Sequence, residues 1–541
     1  MRSLFRYAML TGLLLPVLGS AFTPITLSPG WNLVGNSDHA PIDVATRYGG
    51  AAITTVWKWN KVVNKWAFYT PSLTTAELAS YAQSKGYDVL GSIESKEGFW
   101  VNAKTAATIS DPLAPPPAAG TVVALVAADV AMGWNLLASA EKKTPSQLSS
   151  AMRCSLAADG KAISTLWSWD ASTSAWKFYA PSLEAQGGTA LSDFIAGKKY
   201  QPSSAVLAET EGFWVNAVAA AVAPVWLVKV HNAADLTAAL AAAEPGHCIQ
   251  LAAGSYPGNF RIKGKSGTAD APISIQGTDA VLSSPVVATG FGLHLEAVHH
   301  IIIDRITIVG SQKGLVLDAS SYCRLQNLTI SGTGMEAVHF RKSSRFNTLQ
   351  DSTIHTTGLH DPIYGEGVYI GSSYNNWSSL MLGADTPDDS SDNLIFHNTI
   401  GPLVQVEAID VKEGTQRNRL VSNSIDSRGI RTIDSAIDIK GDATQVINNT
   451  IVHTPTFADN FLVDGIQAHP NTVAGITYGK GNLFSGNIID LNATVNTAEF
   501  IALPKTGYAI NIVGAASGTV CTNNQVKHGL LLSNVPTTVC P

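Results

Sequence analysis

Ala408-Ile-Asp-Val-Lys412 and Ala436-Ile-Asp-Ile-Lys440 are two copies of one phrase: a small residue or glycine, an apolar residue, a variable one, an apolar one and another variable one. The other copies, between about residues 290 and 513, are Gly292-Leu-His-Leu-Glu296, Gly314-Leu-Val-Leu-Asp318, Ala337-Val-His-Phe-Arg341, Gly367-Val-Tyr-Ile-Gly371, Gly465-Ile-Gln-Ala-His469 and Ala509-Ile-Asn-Ile-Val513. Period-two alternation makes each a strand with its aliphatic residues on one face. Most copies return after 22 to 30 residues, and the returns after Gly371 and His469 are longer. This is the signature of a solenoid.

A second phrase keeps step with the first: Asn347-Thr-Leu-Gln-Asp-Ser-Thr-Ile, Asn393-Leu-Ile-Phe-His-Asn-Thr-Ile, Asn418-Arg-Leu-Val-Ser-Asn-Ser-Ile, Thr444-Gln-Val-Ile-Asn-Asn-Thr-Ile and Asn482-Leu-Phe-Ser-Gly-Asn-Ile-Ile. Asparagine recurring at a turn is explained by its tolerance of left-handed backbone and by amide ladders between coils. Several short strands per coil and no helical period predict an all-β fold, a right-handed parallel β-helix, over residues 226–541.

The chain ahead of it contains a duplication. Residues 26–108 hold Gly30-Trp-Asn-Leu, Trp57-Lys-Trp59, Trp66-Ala-Phe-Tyr and Gly98-Phe-Trp-Val-Asn-Ala103, and residues 126–222 repeat them as Gly133-Trp-Asn-Leu, Trp167-Ser-Trp169, Trp176-Lys-Phe-Tyr and Gly212-Phe-Trp-Val-Asn-Ala217. Ten of the twelve tryptophans sit here, five per copy. Each copy is expected to be a small β domain with a helical insert, and most of the indoles to fill its core; the other reading is sugar stacking on exposed indoles. The linker 109–125, with Asp111-Pro-Leu-Ala-Pro-Pro-Pro117, reads as a semi-rigid spacer.

Composition narrows the function. Only 14% of 541 residues are charged and the formal net charge is -6, without a basic stripe, so nucleic acid is excluded as a partner. Arg2 and Arg6, the apolar run from Tyr7 to Leu18 and Gly19-Ser-Ala21 form a secretory signal, residues 1–21, too short to span a bilayer. The mature chain is therefore expected to be a secreted, extracellular or periplasmic monomer with no membrane span. In that oxidising setting Cys521 and Cys540 are expected to pair, Cys248 and Cys323 to be buried thiols, and Cys154 to be left over.

Chemistry concentrates on the strand ladder. With the aliphatic positions inward, the third and fifth residues of each phrase form two outward columns. The first runs His294, Val316, His339, Tyr369, Asp410, Asp438, Gln467, Asn511, and the second Glu296, Asp318, Arg341, Gly371, Lys412, Lys440, His469, Val513. Asp410 over Asp438 is expected to share a hard cation, calcium, with Glu407 beside them. Lys412 over Lys440 is expected to depress one lysine pKa through repulsion and so create a base. Tyr369 and His469 border the pair as further catalytic candidates. Arg341, His339, Gln467 and Trp377, the last in the long loop from Ser372 to Asn393, are candidates for substrate binding. The bland alternative is an ion-pair ladder of Asp and Lys.

The stretches Glu244-Pro-Gly-His-Cys-Ile-Gln-Leu-Ala-Ala-Gly-Ser-Tyr256 and Glu407-Ala-Ile-Asp-Val-Lys412 resemble β-helical polysaccharide lyases of the alginate lyase and chondroitinase B type, with a pectate-lyase-like fold. The resemblance implies that Glu407 is a calcium ligand, that Lys412 is the Brønsted base, and that the substrate is an acidic polysaccharide. The chain departs from the pattern at Gln405, where a second Glu ligand is expected, and at Lys440, near an expected Arg. A uronate lyase is the leading expectation; a C5-epimerase, a glycoside hydrolase using Asp410 and Asp438, and a non-enzymatic surface or matrix carbohydrate-binding protein are the alternatives.

Overall fold

The computed structural model describes residues 24–540 apart from 38–40, 110–123, 187–188, 221–225, 270, 382, 384–385, 430–434, 454–463, 491–507, 515–517 and 528–530. The expected signal segment and most of the linker lie outside the described residues. The chain forms two compact units, one of residues 1–148, 163–180 and 195–218, the other of 149–162, 181–194 and 219–541. No helix among the described residues is long and apolar enough to cross a membrane.

In the first unit the two module copies share one ten-stranded sheet. Each copy pairs its Gly-Trp-Asn-Leu strand antiparallel with its Phe-Trp-Val-Asn-Ala strand, Trp31 opposite Asn102 and Trp134 opposite Asn216. The copies meet where Leu137 pairs with Glu97. Phe99, Val101, Phe213 and Val215 are buried, whereas none of the ten tryptophans is. The expectation that indoles fill the core is therefore corrected. Alternation puts Phe99 and Trp100 on opposite faces, and the phenylalanine takes the inner one.

The second unit is a right-handed parallel β-helix. A ten-stranded parallel sheet collects one strand per coil, and a nineteen-stranded sheet collects the others. Leu315, Val338, Val368, Ile409, Ile437, Ile466 and Ile510 lie in unbroken register and are fully buried, as the repeated phrase demands. A one-residue slip would turn this whole row outward, so the pattern enforces the register. Helix Ala233–Ala241, capped by Asn232, buries Leu236 and Leu240 in the same core. It covers apolar surface that the first coil would otherwise expose.

The asparagines form two amide ladders: Asn347, Asn393, Asn418, and Asn398, Asn423, Asn449, Asn487, Asn524. The left-handed backbone sits one residue earlier in most of the second ladder, at His397, Ser422, Asn448 and Asn523 with φ of 54 to 55°. Ladder bonding, and not left-handed tolerance, thus selects the stacked asparagines. Cysteine pairing also departs from expectation. Cys521 bonds Cys540, but Cys248 bonds Cys154 and only Cys323 is a free buried thiol. Local strand context could not reveal the second bond, because residues 149–162 pack with the β-helix: Arg153 reaches Ser274, and Gln276 Nε2 donates to the Ser150 carbonyl at 3.2 Å.

Candidate active site on the strand ladder

The strands Val368–Ile370, Ile409–Val411 and Ser435–Ile439 lie side by side, with Tyr369 opposite Asp410 and Asp410 opposite Asp438. These third-position residues point away from the aliphatic core yet are almost wholly covered: Asp410 is 0% and Asp438 5% exposed. Lys412 and Lys440 fold over them. Lys412 pairs with Asp410, Lys440 pairs with Asp438 and also lies 3.7 Å from Asp410 Oδ1. The lysine side chains keep 14% and 18% of their surface, so an arriving ligand meets ammonium groups and not carboxylates. Lys412 Nζ stands 5.0 Å from the centre of the Tyr369 ring.

The structure overturns the expected lysine repulsion. Burial disfavours both ammonium ions, but the carboxylates of Asp410, Glu407 and Asp438 outweigh it and lift both pKa values above the ordinary lysine range. The free protein holds two ammonium groups. Tyr369, buried and facing Asp410, Glu366 and Glu336, has its phenol pKa pushed well up and carries its proton throughout the neutral range.

A third column extends to both sides of Glu407 and of Glu366, its equivalent one coil earlier. The residue preceding each phrase is Lys313, Glu336, Glu366, Glu407, Ser435 and Asp464 in successive coils, and backbone bonds keep these positions in step. The signal was legible: an acid recurring immediately before the small residue. Glu336 is held down at about 2, against burial, by His339 and Lys313; Glu366 is raised by burial and by Glu336, Glu407 and Asp410. Burial, with Asp410 and Asp438, raises Glu407 to about 8. Glu366, Glu407 and Asp410 bring one carboxylate oxygen each within 4.8 Å of one another, and Glu366 Oε2 receives no hydrogen bond among the described residues. Hard oxygen donors with an unsatisfied buried atom fit a hard divalent cation.

A raised acid destabilises the fold once the unfolded chain can ionise it. Stability from neutral Glu407 is complete below about pH 4.5 and is lost as pH rises through about 8. With a chelator present, the urea midpoint of the parent is expected to fall across that window relative to Glu407→Gln. Parallel midpoints for the two proteins would show that Glu407 is not held neutral.

No protein-family model and no curated protein sequence matches the chain. Among solved structures, an alginate lyase from Paenibacillus sp. str. FPU-7 is 30% identical, with a TM-score of 0.50, over 57% of this chain and 98% of that one. This chain belongs with the β-helix proteins that resemble polysaccharide lyases. Pectate lyase Pel9A (13% identity, TM-score 0.36, 56% of this chain and 72% of that one) and PfbA, a surface adhesin of Streptococcus pneumoniae (11%, 0.40, 56% and 74%), are more distant matches.

In this lyase-like β-helix the remaining candidates separate. His339 is buried against Tyr369, its ring 4.5 Å away; Nε2 donates to the Gly371 carbonyl and Nδ1 faces Glu336 and Lys313, which leaves neither nitrogen for substrate. Gln467 is buried and donates to Asp464. Arg341 is turned to Asp318, 2.5 Å away, and stacks on Phe291. Trp377 is 1% exposed, donates to the Ser372 carbonyl and packs on Tyr478. His339, Gln467 and Trp377 are therefore corrected from ligand contacts to supports, since neighbours take up their polar or aromatic groups, while Arg341 is partly exposed and held by Asp318. Trp377 pins the base of its loop, and Glu413 receives the Tyr374 N–H in the same loop. His469 follows strand Asp464–Ala468, one coil beyond Lys440, partly exposed and anchored by its N–H to the Ile439 carbonyl.

Proposed function

We propose that the β-helix is a polysaccharide lyase that cleaves a uronate-containing polymer by β-elimination outside the cytoplasm. The observation carrying this reading is the pair of partly exposed ammonium groups, Lys412 and Lys440, over buried acids and beside a protonated tyrosine. Lys440 neutralises the uronate carboxylate, which acidifies the adjacent C5–H. Lys412, in the minor fraction of molecules in which it has given its own proton to solvent, takes the C5 proton. The C4–O bond breaks, a C4=C5 double bond forms, and the leaving oxygen takes the Tyr369 phenolic proton. Return of the proton from Lys412 to the phenolate restores both groups. A calcium ion held by Glu366, Glu407 and Asp410 would add positive charge for carboxylate neutralisation.

Hydrolysis by Asp410 and Asp438 fits less well, because both carboxylates lie beneath lysines and neither flanks open space. The ion pairing alone also suits a non-enzymatic sugar-binding protein. Incubation with a panel of polyuronates, followed by ultraviolet absorbance of the unsaturated product, separates the readings. Absorbance growth supports the lyase; shortening of the polymer without it would indicate hydrolysis; no reaction with any polyuronate would leave binding alone.

A further inference from the structure

We infer that the tryptophan face of the first unit is a second carbohydrate site, which stacks the uncharged faces of a pyranose polymer. It stands independently of the lyase reading. Strand alternation places Trp57 and Trp59, Trp66 and Trp100 on one face of the sheet, and the second copy repeats this with Trp167, Trp169, Trp176 and Trp214. Trp31 and Trp134 complete the set and are 45% and 43% exposed. Phe99 and Phe213 occupy the inner face, and Trp31 and Trp134 keep open surface while their rings pack on Trp100 and Trp214.

Two cavities of about 610 and 420 Å³ adjoin on this face. Trp59, Trp134 and Trp214 line the first, Trp31 and Trp169 the second, and Trp66, Trp100 and Trp176 line both. The volumes lie in the range of ligand sites. The indoles are held rigidly by reciprocal bonds between the copies: Trp59 Nε1 donates to the Trp134 carbonyl at 3.0 Å, and Trp169 Nε1 to the Trp31 carbonyl at 2.9 Å. Neighbouring rings meet edge to face at 5 to 6 Å, as Trp66 with Trp214 (5.9 Å) and Trp100 with Trp176 (5.7 Å) do. This preorganised surface loses little entropy on binding.

The lining selects the ligand. It consists of tryptophan and tyrosine alone, without formal charge, so a uronate carboxylate finds no partner there. Exposed π faces favour the C–H faces of sugar rings, and a floor repeated twice suits a repeating polymer.

The test uses the full chain with neutral xylan, glucan and mannan, a polyuronate and a proline-rich peptide, followed by tryptophan fluorescence and affinity electrophoresis. Binding to at least one neutral polymer is expected, and Trp31→Ala with Trp134→Ala should weaken it about tenfold or more, because two stacking surfaces are lost. Trp31→Phe with Trp134→Phe should fall between, with unchanged circular dichroism and unchanged activity on soluble polyuronate. The inference is overturned if no neutral polymer binds, if the alanine and phenylalanine variants bind as the parent does, if only the peptide or polyuronate binds, or if the parent self-associates through this face and the variants do not.

Discussion

Lys412→Ala is expected to lower turnover of a polyuronate by about a hundredfold or more while leaving the fold intact, because loss of a positioned general base costs about that much. Lys412 follows a strand whose aliphatic residues are buried, and its side chain pairs with Asp410 and covers the Tyr369 ring. Lys412→Arg separates base from charge: it keeps the cation over Asp410 but gives up its proton far less readily than a lysine in the same place, so it too should be inactive. The raised lysine pKa adds a pH signature. In chelated protein the rate should climb with pH, by about tenfold per unit through the neutral and mildly alkaline range, as the amine fraction grows. Near-normal turnover of the arginine variant would make Lys412 a carboxylate anchor.

Asn423→Ala should cost about 3 to 5 kcal/mol, since each buried polar group left unpaired costs roughly 1 to 3 kcal/mol. The Asn423 amide donates to the Ile395 carbonyl and Asn449 Oδ1, both at 2.9 Å, and its oxygen accepts from the Asn398 backbone and side chain at 3.0 Å. Removing it breaks the ladder at its second member and strands partners in both adjacent coils. Urea unfolding measures the loss; a change under about 1 kcal/mol would mean that the ladder is only a by-product of coil spacing.

The fold was legible because the phrase around Ile409 and Ile437 repeats with its aliphatic residues in fixed phase, and such a row has one register that buries it. Lys412, Lys440, Tyr369, Asp410 and Asp438 came together for the same reason: columns follow from register. What the columns could not show was which neighbours each polar group would consume. His339 and Gln467 point outward by phase yet are spent on Gly371 and Asp464. Lys412 was misread for an electrostatic reason, since repulsion between two lysines was ranked above the Asp–Lys ion-pair ladder that the structure contains. Trp377 sits in an insert with no repeat to fix its direction. The pairing of Cys154 with Cys248, across 94 residues, depends on a long-range contact that local pattern does not encode.

The most direct test of the lyase reading is nuclear magnetic resonance of the products formed from the polyuronate that the parent degrades, with parent and a Lys412→Ala, Lys440→Ala double variant run side by side. The account predicts an olefinic H4 signal of a C4=C5 uronate from the parent and none from the variant. Saturated ends from the parent, or the same olefinic signal from both proteins, would contradict it.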